Sequence, residues 1–299
     1  MDELRAMCAV VAARATHVTI VTNAITTAYA GDRPVAQSDP ATPAADREEL
    51  AARTLTLDAI NFGSGWFPTL RKRPGRSGYG TIAAGLTERF DAAGAWTAAQ
   101  LAAIDPSALA AVLGQDPGHE LIGLYATSLR DLGQRVTAEH GGRFAAVADA
   151  AGGSAVALAR ALGGWRCFAD RSRYDDLDIP FLKRAQIAAA DLQRVGVAEW
   201  VDLERLTMFA DNLVPHVLRL DGVLRFAPDL VARVDREDLI AHDSREEIEI
   251  RACAVHAVEL LVSAGVAGTA AELDQALWQR GQQPQYKSSP RHRTRCTAY

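Results

Sequence analysis

The chain has 299 residues, 48% of them hydrophobic and 23% charged, which excludes a disordered, collagenous or disulfide-dense polypeptide and allows two ordinary domains or one large one. Its 37 acids and 32 bases leave a net charge of −5, so it lacks the broad basic field that long nucleic acid requires. A small substrate, even a phosphorylated one, needs only a local basic pocket and stays open.

The opening MDELRAMCAVVAARATHV carries Asp2, Glu3, Arg5 and Arg14 and lacks the basic start and unbroken apolar run of a signal peptide. No uncharged apolar run of about 18 residues occurs, so no membrane span is expected. Cys8, Cys167, Cys253 and Cys296 form no CxxC pair, and the protein reads as reduced, soluble and cytoplasmic. His17-Val-Thr-Ile-Val alternates briefly, as a short strand or the start of a helix. Thr42-Pro43 opens a helix toward residue 60. Thr97-Ala-Ala-Gln100 fits a capping box, and His119 to Val136 gives an amphipathic helix through Leu121, Leu124, Tyr125, Leu129 and Leu132. Pro180 opens a helix with Phe181, Leu182, Ala185, Ala189 and Leu192 on one side. Ser244-Arg-Glu-Glu247 opens a long helix over 245–264, stopped by Gly265, and Thr269-Ala-Ala-Glu272 opens another that runs to Arg280 and stops at Gly281. The irregular stretches Gly31–Thr42, Gly63–Gly80, Ala169–Ile179 and the tail from Gly281 do not resemble interdomain linkers. With no βα rhythm, no GxGxxG and no GxxxxGK[ST], one all-α domain over residues 1–299 is expected.

The seven histidines show no HxH, HExxH or i,i+4 pair, and Asp175-Asp176-Leu-Asp178 lacks the EF-hand continuation. No metal is expected; the acidic cluster reads as a solvated loop with Asp178 near the start of the Pro180 helix. No GxSxG occurs and no cysteine has an obvious base, so a nucleophilic Ser or Cys is unsupported. Leu206-Thr-Met-Phe209-Ala-Asp211-Asn-Leu-Val-Pro215 places one carboxylate in an apolar stretch just ahead of a helix that tolerates proline only in its first turn. Asp211 reads as a plain N-cap, or as a carboxylate held by helix N–H groups and aimed into a pocket; the two readings are compatible. Lys183, Arg184 and Gln186 interrupt an otherwise apolar helix; such a Lys-Arg pair is ordinarily a solvated face, and adjacent residues lie about 100° apart around a helix. Leu57-Asp58-Ala-Ile-Asn61-Phe62-Gly63-Ser64-Gly65-Trp66-Phe67-Pro68 is equally a packed C-terminal turn or a pocket wall, with Phe62 and Trp66 stacking and Asn61 hydrogen bonding. Arg71-Lys-Arg73-Pro-Gly-Arg76-Ser-Gly-Tyr79-Gly80-Thr81 looks like an anion loop with Thr81 starting the next helix. The tail Tyr286-Lys-Ser-Ser-Pro-Arg291-His292-Arg293-Thr-Arg295 is a second basic segment, of a kind most often merely solvated.

Taken together, LDAINFGSGWFP, FLKRAQIAAADL, LTMFADNLVPHVL and the stretch Ser244 to Ala252 resemble the queuosine salvage proteins, the queuosine 5'-phosphate N-glycosylases. Order and spacing match over roughly 50 to 265, with weaker likeness at both ends. The combination KRAQ…LTMFAD…EIR is far more specific than any piece, and GSGWFP with KSSPRHRTR resembles the bacterial branch, from which the animal and fungal branch departs. The resemblance implies hydrolysis of queuosine 5'-monophosphate to queuine and ribose 5-phosphate. It further implies a helical fold related to helix-hairpin-helix DNA glycosylases, a catalytic Asp, and neither metal nor cofactor. The LPGVG-like hairpin of DNA glycosylases is absent, which fits a nucleotide substrate. By motif, Asp211 is the catalytic Asp and Lys183 the other functional polar residue. Asp58, Asn61, Phe62, Trp66, Arg184, Phe209, Arg251, His292 and Arg293 are the substrate-binding candidates. The partner expected is a small molecule, with no long nucleic acid, no membrane and a monomeric state. Cleaving a ribosyl C–N bond develops oxocarbenium-like charge, which a preorganised carboxylate stabilises. Lys183 is left with two roles, donor to the leaving base or ligand to the 5'-phosphate. The competing classes are a base-excision enzyme acting on polymeric nucleic acid and a non-enzymatic helical binding protein.

Overall fold

The computed structural model describes residues 1–31, 34–35 and 46–299; the helix opening expected at Thr42-Pro43 lies outside them. Among the described residues the chain is mostly helical. The first half contains α1 (Asp2–Arg14), α2 (Thr22–Thr27), α3 (Arg47–Ala59), α4 (Gly78–Ala93), α5 (Ala98–Ala102), α6 (Pro106–Leu113), α7 (Glu120–His140) and α8 (Phe144–Asp149). The second half contains α9 (Ala155–Gly163), α10 (Lys183–Arg194), α11 (Val214–Leu220), α12 (Pro228–Asp235), α13 (Arg245–Ser263), α14 (Ala270–Arg280) and α15 (Pro284–Lys287).

The strictly all-α expectation is corrected by four short strands. β1 (Val18–Ile20) pairs antiparallel with β4 (Leu224–Phe226), Val18 opposite Phe226, so the brief alternation after His17 is a strand. β2 (Arg171–Tyr174) and β3 (Leu177–Pro180) form a hairpin turned at Asp175, whose φ is +52°. That hairpin replaces the loop expected there. Asp178 is not at a helix start but in β3, where Arg171 pairs with it at 2.9 Å.

Local signals placed several helices well. Thr97 and Thr269 form complete capping boxes. Ser244 accepts from Glu247 N, but the Glu247 carboxylate turns to Asp243 N instead of closing its box. His119 caps α7 through Nδ1, and the helix continues past Val136 to His140. Thr81 does not open α4: Ser77 is its N-cap, and the Thr81 hydroxyl accepts from Arg73 N. Pro180 does not open α10 either. It ends β3, and the helix begins at Lys183 because Leu182 takes a left-handed φ of +55° and Asp170 receives the Lys183 amide.

α13 is the central element, buried at Ile248, Ile250, Ala254, Val258 and Leu261 and in contact with α1, α11 and α14. Each fully buried Ile, Val or Leu contributes about 1.5–3 kcal/mol, so this helix fixes its neighbours firmly. α7 plays the same part for α3, α5 and α6, and α10 lies against α3 and α9. One apolar cluster runs from Met1 to Tyr286. No helix among the described residues is long and apolar enough to cross a membrane.

Candidate active site

Several helix ends converge on a cavity of about 340 Å³. The residues after α3 supply Asn61 and Phe62; the first turn of α4 supplies Gly78 and Tyr79; α10 supplies its first residue, Lys183. The approach to α11 supplies Asp211 and Asn212, and Trp278 comes from α14. The tail adds Tyr286, Lys287, Arg291, Arg293 and Tyr299, and Phe67, Lys72 and Glu237 also line the cavity. Such a volume suits a small organic ligand.

Asp211 is a cavity residue that also braces the entry to α11; it stands two residues ahead of Leu213, the N-cap of that helix, and so is not the plain N-cap expected. Its Oδ1 accepts hydrogen bonds from Leu213 N at 2.9 Å and Val214 N at 3.0 Å, satisfying two otherwise unpaired amides at the start of α11. The segment leading to it is tied down residue by residue: Gln186 receives Thr207 N, Asp274 receives Phe209 N, and Arg251 Nε donates to Ala210 O. Lys183 Nζ donates to Asn61 O at 2.9 Å, a carbonyl just past the C-terminal end of α3, where a cation is favoured. Burial lowers the Lys183 pKa, against which nearby Asp211 pulls upward. Lys183 and Arg184 are therefore not a solvated face, since both are buried.

The aromatic side is formed by Phe62, Phe67, Tyr79, Trp278 and Tyr299, with Tyr79 and Trp278 edge to face at 6.3 Å. Five cationic side chains line the cavity, Lys72, Lys183, Lys287, Arg291 and Arg293, against two carboxylates, Asp211 and Glu237. On a chain of net charge −5 this is a local reversal of sign, which favours an anionic ligand.

Of the residues named from the sequence, Asp211, Lys183, Asn61, Phe62 and Arg293 line the cavity; Asp58, Trp66, Arg184, Phe209, Arg251 and His292 do not. All but Asp58 have a visible occupation elsewhere. Arg184 is enclosed by backbone carbonyls, donating to Ala59, Cys167, Thr297 and Ala298. Arg251 pairs with buried Asp170. Trp66 gives its indole N–H to Glu120 at 2.7 Å. Phe209 is held through its backbone amide. His292 is buried, its pKa pushed down to about 3 by burial, and its carbonyl receives Asn212 Nδ2. Asp58 lies in the last turn of α3, with one carboxyl oxygen lacking a hydrogen-bond partner. Burial, with Asp191 adding, raises its pKa well above the usual carboxylate range.

Lys72, Tyr79, Asn212, Trp278, Lys287, Arg291 and Tyr299 line the cavity without having been singled out as site residues. The tail held a usable signal: His292, Thr294, Cys296 and Ala298 are buried in strict alternation, while Arg291 and Arg293 on the other parity reach the cavity. The tail and the GSGW turn also meet directly. Gly63 N donates to Tyr299 O at 3.1 Å, and a side chain on Gly65 would stand 2.5 Å from Thr294 O. The two segments that shared a likeness in the sequence are therefore two faces of one contact.

The family model described as queuosine salvage protein matches residues 41–299. A Sphaerobacter thermophilus protein named queuosine 5'-phosphate N-glycosylase/hydrolase is 36% identical over 266 residues, covering 85% of this chain and 82% of that protein. Proteins of the same name from Mus musculus (29% identical, 57% of this chain and 56% of that one) and Dictyostelium discoideum (37%, 42% and 42%) are also similar. The chain belongs to the queuosine salvage protein family.

Proposed function

We propose that this chain hydrolyses the N-glycosidic bond of queuosine 5'-monophosphate, releasing queuine and ribose 5-phosphate. The observation that carries the reading is a carboxylate, Asp211, pinned by two backbone amides in the same cavity as the buried Lys183 and four further cationic side chains. Asp211 stabilises the positive charge that grows on C1' and the ring oxygen as the C–N bond breaks, and it orients the water whose oxygen bonds to C1'. One water proton leaves by way of this carboxylate, and the departing base nitrogen takes up a proton. Lys183 suits the donor role on the base side, because its lowered pKa makes it a readier acid than a solvated lysine. That leaves Lys72, Lys287, Arg291 and Arg293 for the 5'-phosphate, and Phe62, Tyr79 and Trp278 for the flat base.

The chain is read as one domain related to helix-hairpin-helix DNA glycosylases and working as a monomer on a free nucleotide. Incubation of the pure protein with queuosine 5'-monophosphate should yield free queuine and ribose 5-phosphate in equal amounts, with no base released from duplex DNA. Folded protein that releases no queuine refutes the reading; base release from DNA favours the base-excision alternative.

A further inference from the structure

Lys183 and Asp211 belong to different elements, and nothing in their own hydrogen bonds ties one to the other. The buried side chains behind them do. Asp170, in the link between Cys167 and β2, is fully buried. Its Oδ2 accepts the Lys183 amide at 2.8 Å, and its carbonyl accepts Leu182 N at 3.3 Å. Both its carboxylate oxygens are also held by Arg251 Nη2, at 2.9 and 2.7 Å. Arg251 in turn sends Nε to Ala210 O at 2.9 Å, the residue before Asp211. Its guanidinium is packed against Phe181 and Tyr299, with ring centroids at 4.0 and 4.4 Å.

A second feature points to the same pair. Leu182, immediately before Lys183, is one of four non-glycine residues with positive φ among the described residues. A conformation of this kind persists only where the surroundings over-determine it. Here Asp170 supplies two hydrogen bonds to the strained turn, and Gly163 leaves room for Leu182, since a Cβ there would collide with Leu182 Cδ2.

We propose that the Asp170–Arg251 ion pair is a bracket that sets the spacing of the two reacting side chains, Asp170 fixing the start of α10 at Lys183 and Arg251 fixing the backbone at Asp211. Neither residue lines the cavity, so both are positioning residues and neither touches substrate. The fork of an arginine is required because one group must serve a carboxylate and a carbonyl at once. The kinetic part of this inference rests on the proposed hydrolysis; the structural part does not.

The test uses Arg251→Lys and Asp170→Asn. Lysine keeps a charge for Asp170, and so the fold, but cannot reach both partners. For Arg251→Lys, kcat on queuosine 5'-monophosphate should fall on the order of 10²-fold while KM stays within about threefold, the pattern of misplaced reacting groups in an intact binding site. Amide hydrogen exchange gives a readout independent of turnover. Asp170→Asn should speed exchange at Lys183 and also, by about tenfold or more, at Leu213 and Val214, which Asp170 does not touch but which Asp211 holds. Faster exchange at Lys183 alone overturns the bracket. So does an Arg251→Lys protein with unchanged kcat and unchanged exchange at Leu213 and Val214, or one in which only KM rises, since that would make Arg251 a substrate ligand. If Asp170→Asn fails to fold, Arg251→Lys decides. If the wild-type protein releases no queuine, the proposed function falls, while the exchange result still decides the bracket.

Discussion

Replacing Asp211 by asparagine and by alanine separates the two tasks of its carboxylate. Asparagine keeps an oxygen where Oδ1 accepts from Leu213 N and Val214 N, so the brace survives while the charge is lost. Alanine removes both. Loss of this acceptor at the helix entry, like loss of an N-cap, costs about 0.5–2 kcal/mol, which for a chain of this size lowers the melting temperature by a few degrees, roughly 2–4 °C per kcal/mol. Loss of one preorganised group facing a developing charge costs about 2.7–4 kcal/mol of transition-state stabilisation, or 10²–10³ in kcat. Asp211→Asn should therefore melt near wild type yet release queuine on the order of 10²–10³ times more slowly. Asp211→Ala should be equally slow and less stable. Chromatographic detection of queuine from queuosine 5'-monophosphate, paired with thermal melts by circular dichroism, supplies both numbers. An asparagine variant retaining more than about a tenth of wild-type kcat would sink the electrostatic role. An alanine variant losing activity only in proportion to its unfolded fraction would leave Asp211 as a brace alone.

Removing the tail cations together, as Lys287→Ala with Arg291→Ala, should raise KM for the 5'-phosphate about tenfold or more, as expected for lost charge-assisted contacts, with little effect on the nucleoside lacking phosphate; equal effects on both substrates would move phosphate elsewhere. Gly65→Ala drives a methyl against Thr294 O at 2.5 Å, so a stability loss of about 1–3 kcal/mol and a raised KM are expected, read by urea melts and steady-state rates; an unaltered protein would show that the turn can yield. Asp274→Asn tests the pH dependence. Burial, with Asp211 adding, raises the Asp274 pKa in the folded state, so its contribution to stability is complete below the ordinary Asp value and is lost as pH rises through the folded value. The asparagine variant should gain on wild type in urea midpoint as pH rises above the ordinary Asp value of about 3.9, and a difference that is flat or opposite in sign would refute the assignment.

What could be read from the sequence followed the range of each interaction. Capping boxes at Thr97 and Thr269 close within four residues and were visible as written. The start of α10 was misplaced at Pro180 because Asp170, 13 residues away, sets it through the Lys183 amide. Lys183 and Arg184 resembled a wet face because the carbonyls that receive them lie at Asn61, Ala59, Thr297 and Ala298, which no helical periodicity connects to them. Asp211 reads two ways for a sound reason, since its hydrogen bonds brace the entry to α11 and its position makes it a cavity residue. The motifs located the region, but residues that brace a cavity from behind, such as Arg184 and Arg251, carry the same pattern as those that face it. Parity along the extended tail was the one local signal that distinguished Arg291 from His292.

The cavity takes one side from residues 61–79 and another from 282–299. A nascent polypeptide holding everything through Asp211 already has both of the side chains proposed to react, yet it has only half the vessel. Hydrolytic competence therefore arrives late in synthesis, and a protease nick that frees the final stretch would silence the enzyme without touching Asp211 or Lys183.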